Sequence, residues 1–95
     1  LPIIFGMELE RKLRPICESM GHRLRGARRH RFPNDDQQTF ARRLGTSRET
    51  LRKMERGDPG VAFGRYLQAA ELLDCLESFR GLFELEQDLF ERAGM

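Results

Sequence analysis

Two short helical patterns, separated by a three-residue turn that contains one glycine, lie within residues 37–56 and constrain the fold of this chain most strongly. Apolar side chains recur at helical spacing in both patterns: Phe40, Ala41, Leu44, Leu51 and Met54. Gly45 between them can adopt the positive φ that ends a helix, and the Ser47 hydroxyl can cap the helix that follows. The pattern predicts helices over residues 37–44 and 48–56, joined by a tight turn.

Two longer helical segments are predicted on either side of this pair. The first begins at Pro15, whose missing N–H is not needed in an initial turn, and ends near His30. Its apolar face comprises Ile16, Met20, Leu24 and Ala27. Asp35, with Gln38 three residues later, is the predicted N-cap of the second helix. After a Gly-Asp-Pro-Gly stop, helical spacing resumes over residues 62–75 through Phe63, Leu67, Ala70 and Leu73.

The two ends of the chain are predicted to be accessory segments around a domain of residues 15–75. Residues 1–14 form an N-terminal arm; if Met7 is the natural start, residues 1–6 are a remnant of cloning or of an alternative start. Residues 76–95 form a helical tail for dimerisation or partner binding, with the apolar residues Leu76, Phe79, Leu82, Phe83, Leu85, Leu89 and Phe90. A fifth helix that closes the core is an equal alternative for Leu76 and Phe79.

Composition supports an all-α chain with one main domain. Leu, Arg, Glu, Ala and Gln recur throughout the 95 residues, whereas Val and Tyr occur once each and Trp is absent. No apolar run approaches the roughly 20 residues of a membrane span, so the protein is predicted to be cytosolic. Cys17 and Cys75 lack metal-ligand spacing and are expected to be buried, reduced packing residues.

Basic residues concentrate in the middle of the chain. Residues 22–56 contain 11 Arg and Lys side chains against 4 Asp and Glu, whereas residues 57–95 contain 3 against 8. A basic centre favours a polyanionic partner, although solvated helix faces would give the same count. The charge alone therefore does not identify the partner.

The glycine-separated helix pair also meets the steric demands of a DNA-reading helix-turn-helix. Ala41 is the small residue where the helices meet, Gly45 is the turn, and Leu51 and Met54 anchor the second helix from behind. The residues left on its outer face are Ser47, Arg48, Glu49, Arg52 and Lys53. Arg48, Arg52 and Lys53 are candidates for base-edge or phosphate contact, and Ser47 and Glu49 for base contact. The alternative for Arg52 and Lys53 is a solvated surface.

Other basic residues are weaker candidates for DNA contact. For Arg42 and Arg43 on the preceding helix, an ordinary surface position and a phosphate contact are equal alternatives. A further group of arginines could flank the duplex, with none singled out: Arg23, Arg25, Arg29 and Arg31. His22 and His30 lack the partners of a catalytic or metal site.

The stretch Gln37-Gln38-Thr39-Phe40-Ala41-Arg42-Arg43-Leu44-Gly45-Thr46-Ser47, continuing to Gly57, resembles the Cro/repressor-type (XRE-like) helix-turn-helix domains. The resemblance extends over roughly residues 16–75, and its last part is similar to small repressors and toxin–antitoxin antitoxins. It implies a compact five-helix, lambda-repressor-like domain that is commonly a homodimer. The link over residues 31–36 is about two residues longer than is usual in this family.

The resemblance also implies roles for individual residues. Gln37, at the start of the second helix, is expected to hydrogen-bond a DNA phosphate, and Gln38 belongs to the same predicted contact set. Arg28 is the expected ion-pair partner of Glu55. The predicted DNA-binding residues are therefore Gln37, Gln38, Ser47, Arg48, Glu49, Arg52 and Lys53.

The function expected from these features is regulation of transcription by sequence-specific binding to double-stranded DNA. A homodimeric repressor would place two recognition helices on a partly palindromic operator with half-sites about 10 bp apart. An antitoxin whose acidic, aromatic tail holds a toxin is one alternative, and a protein-interaction adaptor without DNA binding is another. No nucleophile, metal or cofactor constellation supports an enzyme, and no cofactor is expected.

Overall fold

The computed structural model describes residues 11–85, and this part of the chain contains α-helices and one short 3-10 helix but no β-strand. The helices are α1 (Leu13–Arg31), α2 (Gln37–Leu44), α3 (Arg48–Glu55) and α4 (Phe63–Leu72), followed by the 3-10 helix Leu76–Phe79. The prediction of an all-α chain is confirmed for these residues. None of the described helices has both the length and the apolar character that crossing a membrane requires.

One core unites the four helices. It consists of Phe40, Ala41, Leu44, Leu51, Met54, Tyr66, Ala69 and Leu73, with Met20, Leu24 and Ala27 of α1 packed against it. All five apolar residues predicted for the glycine-separated pair are buried. Ile16 was expected on the same face of α1 but is 66% exposed, because the packed face begins one turn later at Met20.

A close approach of backbones fixes α1 against the end of α3. A Cβ atom on Gly21 would lie 2.5 Å from the Gly57 nitrogen and 2.7 Å from the Glu55 carbonyl oxygen. Gly57 has a φ of 80° and lies directly over the backbone of Cys17. Only glycine fits at both positions, so this contact sets the distance between α1 and α3.

The N-cap of α2 is Asp36, so the prediction of Asp35 is wrong by one residue. The Asp36 carboxylate accepts a hydrogen bond from the Thr39 amide at 2.8 Å, and this bond holds the pKa of the Asp36 carboxyl below its usual value. Asp35 instead accepts hydrogen bonds from Arg43, whose guanidinium lies 4.6 Å from the centre of the Phe32 ring. Asp35 therefore ties α2 to the preceding loop.

The turn between α2 and α3 has the geometry that the sequence predicts. Gly45 has a φ of 76°, and the Thr46 amide bonds back to the Ala41 carbonyl at 2.9 Å. Ser47 then caps α3 by accepting a hydrogen bond from the Thr50 amide at 3.0 Å. This turn fixes the orientation of α3 relative to α2.

Helix α4 ends at Leu72, three residues before its predicted end at Cys75. Asp74 adopts a φ of 60°, and the Cys75 amide bonds to the Ala70 carbonyl at 2.7 Å, which closes the helix as glycines close α2 and α3. Aspartate tolerates the left-handed conformation, so α4 ends here although no glycine marks this position in the sequence.

Cys75 is exposed and Cys17 is half-buried, so the expectation that both are buried is wrong.

The tail differs from the predicted amphipathic helix as far as the structure describes it. Residues 80–85 contain no helix after Leu76–Phe79, so the described chain has four α-helices where the resemblance implied five. Phe63, which shares the helical spacing of Leu67, Ala70 and Leu73, is 53% exposed, and its ring packs edge-on against Phe79 with centroids 5.9 Å apart. Predictions for residues 1–10 and 86–95 lie outside the described residues.

Candidate nucleic-acid interface

One exposed face of α3 and its N-cap carry five of the seven predicted contact residues. Ser47, Arg48, Glu49, Arg52 and Lys53 are all exposed at the surface. The opposite face carries Leu51 and Met54, both fully buried in the core. The core therefore holds α3 rigidly with its polar residues facing solvent.

The hydroxyl of Ser47 is used within the protein. It accepts a hydrogen bond from the Thr50 amide and donates one to the Thr50 hydroxyl oxygen, each at 3.0 Å. These bonds satisfy an N–H group that the first turn of α3 would otherwise leave without a partner. Ser47 is thus first a helix cap, with one remaining acceptor lone pair on the outer face.

Arg52 is paired with Glu49 one turn earlier on the same helix. The Arg52 Nη1 atom donates to the Glu49 Oε1 atom at 2.7 Å, and the two side chains are 47% and 55% exposed. Arg48 and Lys53, which flank this pair in sequence, form no ion pair within residues 11–85. The outer face of α3 therefore combines two unpaired cations with one internal ion pair.

A buried carboxylate, Glu55, joins the three helices that surround the site. Arg28 of α1 donates to it twice, from Nε to Oε2 at 2.6 Å and from Nη2 to Oε1 at 3.1 Å. Gln37 of α2 donates its amide to the same Oε1 atom at 3.0 Å. The expected pairing of Arg28 with Glu55 is confirmed despite the longer link between α1 and α2.

Gln37 retains part of its hydrogen-bonding capacity. Only one of its two amide N–H groups is used by Glu55, and the side chain lines an open groove at the N-terminus of α2. The bond to Glu55 orients this side chain. Gln38 is exposed and lines the same groove.

The groove between α1, α2 and α3 has a volume of about 640 Å³ and is lined mainly by polar and charged residues: Arg25, Arg28, Asp36, Gln37, Gln38, Arg48, Arg52, Glu55 and Arg56. Five arginines thus face two carboxylates, one of which is the partner of Arg28. The excess of positive charge favours an anion in this groove. Four of the predicted contact residues line it.

Arg56 was not among the predicted residues, and Arg25 was not distinguished from its neighbouring arginines. Helical spacing was the available signal, but it relates residues of one helix only. Arg25 precedes Arg28 by three residues on α1, and Arg56 follows Arg52 by four at the end of α3, so each pair shares a helix face. Sequence reasoning missed them because it treated each helix separately.

Lys53 lies at the edge of this exposed face that is farther from the groove, beside a second shallow pocket. This pocket is lined by Thr50, Lys53, Asp58, Gly60, Val61, Ala62 and Arg65. Arg65 of α4 donates to the Gly45 carbonyl oxygen at 3.4 Å and to Gln68 at 3.2 Å. Lys53 and Arg65 thus place two further basic residues beside α3, away from the groove.

Several other basic residues have structural partners instead. Arg43 is held by Asp35, and this hydrogen-bonded carboxylate raises the pKa of the Arg43 guanidinium above its ordinary value. Arg31 lies 3.8 Å from Asp74. His22 and His30 are exposed, and no group of three His, Cys, Asp or Glu residues in the described chain could hold a metal ion.

No protein-family model, curated protein or solved structure matches this chain.

Proposed function

We propose that this protein is a transcriptional regulator of the Cro/repressor type that binds double-stranded DNA sequence-specifically through α3. The observation that carries the proposal is the two-sided character of α3, with Leu51 and Met54 buried behind an exposed face of Arg48, Glu49, Arg52 and Lys53. An α-helix of this width fits the major groove of B-form DNA, where such side chains reach base edges. Repression follows if the bound site overlaps a promoter.

Phosphate contacts are proposed on both sides of α3. On one side the groove offers Arg25 and Arg56 together with the N-terminus of α2, where Gln37 and Gln38 stand. On the other side Lys53 lies beside Arg65. Contacts of this kind set the register of α3 in the major groove of the DNA, while residues at the centre of α3 read the sequence.

A homodimer is the proposed DNA-binding form, acting at the nucleoid in the cytoplasm. The segment after α4 exposes large apolar side chains, among them Phe83 at 99%, Leu85 at 64% and Leu82 at 49%. Exposed apolar residues in one segment favour association with a protein surface, most simply a second copy. A toxin held by the same segment is the alternative that makes the protein an antitoxin.

Fluorescence-anisotropy titration of a labelled random-sequence duplex at two salt concentrations tests the proposed binding. Contacts to phosphates release counterions, so affinity is expected to fall steeply as salt rises, with a logarithmic slope of about −0.9 per phosphate neutralised. The double variant Arg48→Ala and Lys53→Ala is expected to bind more weakly with a shallower slope. Arg80→Ala, in the tail, is the control for the loss of one cation at a position away from α3.

Absence of binding to the duplex at low salt overturns the proposal. In that case an adaptor that acts only through protein contacts would be the function favoured by the exposed residues Leu82, Phe83 and Leu85. Sedimentation equilibrium of the full chain, with Phe83→Ser as the comparison, separates a dimer formed through the tail from a monomer.

A further inference from the structure

The ion pair between Glu49 and Arg52 has no evident structural purpose. Its two side chains are about half exposed, and the pair joins residues of the same helix only. Exposed pairs of this spacing contribute little to stability in water. An equivalent pair occurs in the tail, where Arg80 Nε donates to Glu77 Oε2 at the same 2.7 Å distance.

The pairing leaves one edge of the Arg52 guanidinium open. The bond to Glu49 uses Nη1, and Nε and Nη2 form no hydrogen bond to any residue in the part of the chain that the structure describes. Nε–H and Nη2–H point in parallel from a planar group. This edge matches the spacing of the O6 and N7 acceptors that guanine presents in the major groove.

The carboxylate of Glu49 weakens the affinity of this surface for DNA, because its negative charge repels the phosphates. It lies on the face that carries Arg48 and Lys53, and its charge opposes the attraction of these cations for DNA. It also neutralises Arg52, which discourages that guanidinium from binding a phosphate. When α3 lies in the major groove of DNA and water is excluded, the attraction between the Glu49 carboxylate and the Arg52 guanidinium becomes stronger than in free solution.

We propose that Glu49 is a positioning residue that aims Arg52 at a guanine, so that recognition depends on a G·C pair opposite the centre of α3. The inference rests on the proposed DNA binding and adds the identity of one recognised base pair. Arg52 makes the base contact. Glu49 holds its side chain and prevents it from turning to the phosphate backbone.

The experiment begins with selection of binding duplexes from a random-sequence pool by the wild-type full-length protein. Each G·C pair of the selected duplex is then replaced in turn by A·T, and dissociation constants are measured for wild type, Glu49→Gln, Arg52→Ala and Glu77→Gln. Glu77→Gln is the matched control, because it removes the same charge from an ion pair with the same spacing. Circular dichroism checks that each variant is folded.

At one G·C pair the wild type is expected to lose about 10- to 100-fold in affinity upon replacement, the discrimination typical of a bidentate arginine contact. Arg52→Ala and Glu49→Gln should both reduce this discrimination to less than about threefold at that same pair. Glu49→Gln should also bind random duplex more tightly, with a salt slope steeper by about 0.9, because Arg52 becomes free to contact a phosphate. Glu77→Gln should match the wild type in both respects.

Retention of the full discrimination by Glu49→Gln would overturn the inference while leaving the proposed DNA binding intact. A change of preference in Glu49→Gln at a base pair that Arg52→Ala does not affect would also overturn it, since Glu49 would then read a base itself. Failure of the wild type to bind any duplex would overturn the inference together with the proposed function.

Discussion

Arg28 of α1 and Glu55 at the end of α3 form a two-bond ion pair whose side chains are only 7% and 5% exposed. The same carboxylate accepts a hydrogen bond from the side-chain amide of Gln37, so one buried charge connects three helices. A buried charge has lost its hydration by water, and without an oppositely charged partner it destabilises the folded state. The packing of α1 and α2 against α3 therefore depends on this pair remaining intact.

Glu55→Ala is expected to lower the free energy of unfolding by about 3–5 kcal/mol, because it leaves the Arg28 guanidinium buried without a partner. Glu77→Ala, which breaks an exposed pair in the tail, should change it by less than about 0.5 kcal/mol. Urea unfolding monitored by circular dichroism measures both. Equal stability of the two variants would contradict the structural role given to Glu55.

The close approach of α1 to the end of α3 predicts opposite effects for two glycines of the same helix. Gly21→Ala inserts a methyl group 2.5–2.8 Å from three backbone atoms and should destabilise the protein by about 1–3 kcal/mol or more. Gly26→Ala meets no atom within 4 Å and should stabilise it by about 0.5–1 kcal/mol through helix propensity. Thermal unfolding of both variants tests the prediction, and stabilisation by Gly21→Ala would contradict the packing described here.

Tyr66 is predicted to ionise at unusually high pH. Burial, together with the nearby negative charge of Asp58, raises the pKa of its hydroxyl to about 12 from an ordinary value of 10.0. The folded state thus favours the neutral phenol of Tyr66 more than the unfolded state does. The resulting contribution of Tyr66 to the free energy of unfolding is complete below pH 10 and is lost as the pH rises toward 12. Tyr66 is the sole tyrosine and the chain has no tryptophan, so near-ultraviolet absorbance reports its ionisation directly.

The absorbance titration should show a higher midpoint in the folded protein than in urea. Identical midpoints would contradict the environment described for Tyr66. The Tyr66→Phe variant also removes the 2.6 Å hydrogen bond to the Asp58 carbonyl oxygen and should cost about 1 kcal/mol at neutral pH.

Arg25 and Arg56 line the groove, lie outside the predicted contact set and, unlike Arg28, do not pair with Glu55, so they have a specific expected effect on DNA binding. Arg25→Ala and Arg56→Ala should each weaken binding to all duplexes by a similar factor and reduce the salt slope by about 0.9, as expected for phosphate contacts. Arg43→Ala, whose guanidinium is held by Asp35 and Phe32, serves as the control. A change in base preference in Arg25→Ala would instead assign it to sequence reading.

Local chemistry explains which features could be predicted from the sequence. The α2–α3 turn was predictable because Gly45 can adopt the positive φ that ends α2 and Ser47 can cap α3. The buried face of the two helices followed from the spacing of their apolar residues alone. The end of α4 was not predictable, since Asp74 replaces glycine in the left-handed position. The choice of Asp36 over Asp35 depends on the pairing of Asp35 with Arg43, a contact eight residues away.

The candidate site was predictable in its centre and not at its edges. Residues on one face of α3 follow from helical periodicity, so Arg48, Arg52 and Lys53 could be placed together. The groove depends on how three helices meet, and this arrangement places Arg25 of α1 and Arg56 in the lining of the same groove. The Glu49–Arg52 pair required side-chain positions, since its spacing alone allows several rotamers.

The most direct test of the central claim is a nuclear magnetic resonance titration of isotope-labelled protein with the duplex selected from a random pool. If α3 enters the major groove, the largest amide shifts should occur from Ser47 to Lys53 and at Gln37 and Gln38, with smaller shifts at Arg25 and Arg56. Shifts confined to residues 76–85, or no shifts at saturating duplex, would contradict the assignment of α3 as the DNA-reading helix.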